Sequence, residues 1–68
     1  MHLLELILEL KKRREILNVT QEELAEISGV GLRTLKQFES GKGNPTLQTL
    51  NKLAGVLGLK LKFEVNEI

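Results

Sequence analysis

Cysteine, aspartate, tyrosine and tryptophan are absent from this chain, and histidine and proline occur once each, as His2 and Pro45. Without cysteine, neither disulfides nor thiolate-bound metals can staple the fold, and the absence suits a reducing cytoplasm. Without aspartate, and with one histidine beside the first residue, a Ser-His-Asp triad and a histidine-rich metal site lack their parts. Glu, Lys and Ser remain, but no nucleophile–base arrangement is recognisable among them. Gly41-Lys42-Gly43 is not a phosphate-binding loop, because the preceding strand and the full spacing are missing. No catalytic residue, metal ligand or cofactor is therefore assigned, and an enzyme is not expected.

Long hydrophobic runs are missing too. Leu3-Leu4-Glu5-Leu6-Ile7-Leu8-Glu9-Leu10 is short and is broken by two carboxylates. It has neither the basic leader and cleavage site of a signal peptide nor the ~20 apolar residues of a membrane span. A soluble cytoplasmic protein with no membrane partner is expected.

What the 68 residues do hold is enough for one domain, 1–68, with one small core. A core of this size is marginal alone, and oligomerisation is a common supplement. The net charge of +1 hides an asymmetry. Residues 1–10 carry Glu5 and Glu9 without Lys or Arg, and residues 63–68 carry Glu64 and Glu67. All ten basic residues lie in 11–62, against Glu15, Glu22, Glu23, Glu26 and Glu39. A basic middle between acidic ends fits a polyanion-facing surface with a separate protein-facing one, or ordinary scatter in a small solvated domain.

Apolar spacing of three and four predicts helices at about 3–17, 20–28, 32–40 and 47–57. In the first, Leu3, Leu6, Ile7, Leu10, Arg14 and Leu17 form one stripe. Leu4 and Leu8 fall off it, facing either a partner chain or solvent. Lys11-Lys12-Arg13-Arg14 suits the negative end of the helix dipole, and Asn18 is a left-handed cap. Thr20 and Glu23 form a capping box at the second helix, with Val19 and Leu24 as the hydrophobic staple. Leu24 and Ile27 supply its apolar surface, and Gly29 makes the turn. Leu35 and Phe38 are the buried pair of the third helix, and Gly41 ends it. Thr46 caps the fourth, whose stripe is Leu47, Leu50, Leu53, Ala54 and Leu57, closed by Gly58.

The period then changes. Leu59-Lys60-Leu61-Lys62-Phe63-Glu64-Val65 alternates apolar and charged, the pattern of a half-buried strand at about 59–65. A lone strand leaves its backbone groups unpaired, so a second copy is expected to pair with it antiparallel across a two-fold axis. Pairing Lys60 or Lys62 with the other chain's Glu64 satisfies charge, whereas pairing Lys60 with Lys62 does not. The two-fold is expected near Lys62 or Phe63. Phe38 and Phe63 both fall on apolar stripes and are read as core rather than as stacking platforms for single strands.

Gln21-Glu22-Glu23-Leu24-Ala25, Gly29-Val30, Arg33-Thr34-Leu35 and Glu39-x-Gly41-Lys42-x-Asn44-Pro45-Thr46-Leu47 together resemble the Xre/Cro-type helix-turn-helix family, over roughly residues 6–58. The tail Leu57-Gly58-Leu59-Lys60-Leu61-Lys62-Phe63 resembles the HipB-like antitoxin branch, in which a short C-terminal strand pairs across the dimer. The resemblance implies an all-α fold with a small β addition: a four-helix lambda-repressor-like domain plus that strand. It implies that Leu32, Arg33 and Gln37, on the outer face of the third helix, reach base edges in the DNA major groove. Arginine there suits guanine, and glutamine suits adenine. Gln21, Thr34, Lys36, Lys42, Asn44 and Thr46 match phosphate contacts, which position without specifying. Arg14 and Glu39 match a partly buried ion pair between the first helix and the end of the third.

Two positions depart from the family. Gly31 stands where Ser or Thr is usual, so the third helix has no side-chain cap. Leu32 replaces a polar reader; it either meets a thymine methyl or leaves that position unselective. The implied function is a homodimeric, nucleoid-associated transcriptional repressor on a palindromic operator. Autoregulation and a HipA-like toxin partner follow from the antitoxin branch. The competing reading is a helix-turn-helix protein-interaction module that neutralises or scaffolds a partner without reading DNA, and Leu4 and Leu8 favour it slightly.

Overall fold

A computed structural model of the chain describes residues 3–63 and residue 65. Four helices follow one another: α1 (Leu3–Ile16), α2 (Gln21–Ser28), α3 (Leu32–Glu39) and α4 (Leu47–Val56). Their ends have local causes. Thr20 Oγ1 accepts from the Glu23 amide at 3.0 Å, and the Thr20 amide donates to Glu23 Oε1 at 3.0 Å, which closes the capping box of α2. Thr46 Oγ1 accepts from the Thr49 amide at 3.1 Å at the start of α4. Asn18, with φ 57°, follows α1.

Gly29 follows α2 with φ 77° and donates its N–H to the Ala25 carbonyl at 3.0 Å. No atom lies within 4 Å of where a Cβ would sit there, so the demand for glycine is conformational alone. The next amide, Val30, donates to Ser28 Oγ at 3.2 Å, which turns the chain directly into α3.

The core is Ile7 and Leu10 from α1, Leu24 from α2, Val30 from the turn, Leu35 and Phe38 from α3, and Leu53 and Leu57 at α4. Burying each of these larger side chains contributes roughly 1.5–3 kcal/mol against leaving it in water. Val19, Ala25, Leu50, Val56 and Leu59 pack around this cluster. α2 lies against both α3 and α4, and α1 lies against α3. Together these contacts hold α3 on its Leu35 and Phe38 side and leave its opposite side to solvent.

Several expectations need correction. Leu3 and Leu17, the two ends of the expected stripe on α1, are exposed, because α1 is covered only in its middle at Ile7 and Leu10. Ile27 is 66% exposed and Leu47 is 64% exposed. Periodicity finds the residues that share a face, but the covering helices do not extend over every residue on it.

The segment from Leu59 to Phe63, with Val65, is not a strand in this chain, since nothing among the described residues offers it a ladder to join. Leu59 and Leu61 are half-buried, while Phe63 is fully exposed rather than core. Glu64, the expected charge partner across the two-fold, lies outside the described residues, as do His2 and Glu67. Among the described residues, no helix is long and apolar enough to cross a membrane.

Candidate nucleic-acid interface

The amphipathic character of α3 decides what this surface can do. Leu35 and Phe38 sink into the core, while Arg33, Thr34, Lys36 and Gln37 stand exposed on the remaining faces and Leu32 is half-buried at the start. Among the described residues, no hydrogen bond or ion pair engages the side chains of Arg33, Thr34, Lys36, Gln37 or Lys42. Two guanidinium or ammonium groups and an amide are thus presented from one rigid eight-residue helix without intramolecular partners. Gly31 precedes the helix in an extended conformation and supplies no side-chain cap. A Cβ there would meet only Thr34 Oγ1, at 3.8 Å, so serine would fit.

Past α3, the loop folds back beside it. The Lys42 amide donates to the Gln37 carbonyl at 2.8 Å, and the Gly41 amide to the Phe38 carbonyl at 3.0 Å, which fixes the turn. Thr34, Gln37, Lys42 and Asn44 thereby line one shallow concavity of about 140 Å³, with Phe38, Gly43 and Pro45. Thr46 stands outside it, at the start of α4, where its hydroxyl also lies 3.0 Å from that of Thr49.

Behind α3 sits a charged lock. Arg14 Nε donates to Glu39 Oε2 at 2.7 Å and Arg14 Nη2 to Glu39 Oε1 at 2.8 Å, a two-pronged pair. Only 3% of the Glu39 side chain is exposed, against 12% of the Arg14 side chain. Arg14 Nη1 also donates to the Val19 carbonyl at 2.8 Å, and Gln21 Nε2 donates to Glu39 Oε1 at 3.1 Å. One carboxylate at the end of α3 therefore gathers the end of α1 and the first residue of α2. The Glu39 hydrogen bond holds the Arg14 guanidinium above its ordinary pKa, with smaller help from the charges of Glu39, Glu15 and Glu22, and burial opposes it. At the rim, hydrogen bonds from the Thr20 backbone and hydroxyl hold the fully exposed Glu23 carboxyl below its ordinary value.

Gln21 braces α3 through Glu39 and keeps a second amide hydrogen for another acceptor. Among the described residues, no group of acidic or histidine side chains is gathered that could hold a metal ion. Two contributors escaped the sequence reading. Arg13 Nε donates to the Leu57 carbonyl at 2.9 Å, across 44 positions, and ties α1 to the end of α4. Arg14 fixes the linker between α1 and α2 through Val19. Neither contact leaves a local signal, because each ends on a backbone carbonyl, which every residue carries.

Comparison with known proteins agrees with this geometry. The family model described as helix-turn-helix matches residues 10–63. The cryptic phage CTXphi transcriptional repressor RstR of Vibrio cholerae serotype O1 is 36% identical over 52 residues, which is 76% of this chain and 46% of that protein. An uncharacterized HTH-type transcriptional regulator of Methanocaldococcus jannaschii is 40% identical over 78% of this chain and 80% of its own length. One from Archaeoglobus fulgidus is 42% identical over 78% of this chain and 75% of its own. The chain thus spans less than half of the phage repressor and most of each archaeal regulator. The four-helix arrangement, the matched residues and relatives that are transcriptional regulators all agree, and the chain belongs to the Xre-like helix-turn-helix family.

Proposed function

We propose that this chain is a sequence-specific DNA-binding transcriptional repressor that acts as a homodimer on a palindromic operator. The observation that carries this reading is the outer face of α3, where exposed donors without intramolecular partners project from a helix whose other side is locked in the core. Laid in the major groove, α3 directs Leu32, Arg33 and Gln37 at base edges, Arg33 at guanine and Gln37 at adenine. Thr34, Lys36, Lys42 and Asn44 take phosphates alongside. Gln21 takes another through its remaining amide hydrogen, and Thr46 takes one at the start of α4.

One α3 reads too few bases for useful specificity, so two copies joined through the segment 59–65 are needed. They place their recognition helices ~34–36 Å apart, one turn of duplex. The whole of 1–68 serves as one such domain in the cytoplasm, on the nucleoid. Autoregulation and an antitoxin role beside a HipA-like toxin are the extension that the tail's resemblance supports.

Exposed Leu4 and Leu8 favour a second reading, a protein-interaction module that does not read DNA. Salt dependence separates the two. A repressor that neutralises several phosphates loses affinity steeply as salt rises. In a shift assay across a salt series, a steep log–log slope supports DNA binding. Binding to DNA that is absent, or flat with salt, supports the interaction module.

A further inference from the structure

Leu32 is the apolar residue of α3 that the core does not claim. It opens the helix half-buried, yet it is not in the core cluster. Nor is it among the partly buried residues packed on that cluster, which are Val19, Ala25, Leu50, Val56 and Leu59. The other apolar side chains of α3, Leu35 and Phe38, are sealed inside. Beside Leu32 stands Arg33, exposed and without an intramolecular partner among the described residues. Ahead of it Gly31 is extended, and only Thr34 Oγ1 lies within 4 Å of where a Cβ would stand. Gly31 therefore sets no side chain between the start of α3 and a surface laid against it.

We infer that Leu32 makes recognition depend on the C5-methyl group of a pyrimidine, in the base pair next to the one that Arg33 reads. The inference rests on α3 as the groove helix and names the chemical group that its first residue selects. The major-groove edge of a base pair offers donors, acceptors and one apolar group, the pyrimidine methyl. Leucine has neither a side-chain donor nor an acceptor, so the methyl is the feature it can favour. Set against a cytosine amine or a purine N7, its side chain takes water from a polar edge and returns no hydrogen bond. Leu32 thus selects by what it penalises as well as by what it covers. Leu32 and Arg33 are consecutive and leave the helix about 100° apart, which spreads them onto neighbouring base pairs. A cytosine methylated at C5 carries the same group at the same place as thymine. The same side chain therefore makes binding respond to methylation of a cytosine at that pair.

Deoxyuridine lacks that methyl and otherwise pairs as thymine does, so the test deletes a single group from the DNA. Duplexes selected by the wild-type chain are rebuilt with deoxyuridine at each thymine of one half-site in turn, and affinities are compared at fixed salt. At the thymine beside the Arg33-dependent base pair the expected loss is about fourfold, the ~0.8 kcal/mol of one covered methyl group. Leu32→Ala and Leu32→Gln are expected to bind the thymine and deoxyuridine duplexes alike. A purely structural role of Leu32 would instead weaken both duplexes together and keep the difference between them. In a second arm cytosine replaces that thymine, and methylating it at C5 is expected to regain about what deoxyuridine lost. The inference is overturned by a half-site with no thymine beside that pair, by a deoxyuridine penalty that is absent or that persists in both Leu32 variants, or by no gain from C5 methylation. Each of these leaves the DNA-reading chain standing. A wild-type chain that selects no common sequence overturns that reading as well.

Discussion

The outer face of α3 and the segment from Leu59 to Phe63 both reach solvent, yet they are held in opposite ways. α3 is anchored from behind by Leu35 and Phe38 in the core and by the Arg14–Glu39 pair at its end. Its exposed groups are polar, and the helix that carries them is held in place from behind. The tail is anchored where it begins, by the Arg13 and Leu59 bonds, and its last described apolar residues, Phe63 and Val65, are almost wholly exposed. The difference is between a surface backed throughout by the core and one whose apolar side chains are left uncovered among the described residues. Polar exposure with rigid backing suits reading a ligand, whereas apolar exposure suits contact with another surface.

That contrast can be broken most severely at its anchor. Arg14→Met strands the buried Glu39 carboxylate and is expected to cost about 3–5 kcal/mol, read as a large fall in the urea midpoint. An unchanged midpoint would mean that α3 is not held from behind by this pair. The folded state holds the Arg14 pKa above its ordinary value, so its contribution is complete below that value and is lost only in strong alkali. Titration of Arg14 therefore adds no pH dependence to the penalty for Arg14→Met between pH 6 and pH 9.

Removing a reader should leave stability alone and change recognition. Arg33→Ala is expected to cost about 1–3 kcal/mol at one base position of a selected site, whereas Lys36→Ala should weaken all sites alike, as measured by competition binding at fixed salt. The same loss of base preference from both variants would erase the distinction between reading and positioning.

The next effect belongs to the start of α2. Thr20→Ala is expected to cost ~1 kcal/mol of stability. Its Glu23 partner has a lowered folded-state pKa, held first by the Thr20 amide, which alanine keeps, and next by the hydroxyl, so the carboxylate's share is present above the ordinary carboxylate range and is lost as pH falls through the lowered value. Urea midpoints of wild type and Glu23→Ala should converge as the medium becomes acid through that window, and a constant gap would show that the carboxylate does not close the capping box.

Smallest of all, Gly31→Ser should gain a few tenths of a kcal/mol by capping α3, since its backbone is already extended and nothing blocks the added Cβ. A loss of stability on thermal melting would show that glycine is required there for another reason.

Much of the scaffold was legible in sequence because its causes are local. Thr20 with Glu23, Thr46, Asn18 and Gly29 each act within one turn of where they stand, and the short spacings of Leu35 with Phe38 and of Leu50 with Leu53 mark the core and its margin. What was not legible depends on distant chain. The reach of Arg13 to the Leu57 carbonyl, the exposure of Ile27 and Leu47, and the bare ring of Phe63 depend on where neighbouring elements begin and stop. The alternation of 59–65 signals half-burial but does not say which chain does the burying. In the site, the outer residues of α3 could be named from its periodicity, while the Gln21 bond to Glu39 required the fold, because two helices must be placed before it can form.

The most direct test of the central claim is selection of bound duplexes from a random DNA pool by the wild-type chain at fixed salt. The expected result is enrichment of a palindrome whose half-sites are centred one helical turn apart, with one base pair in each half-site losing its preference when Arg33→Ala is used instead. A pool that gains no common sequence, or an enriched site that Arg33→Ala selects unchanged, would contradict it.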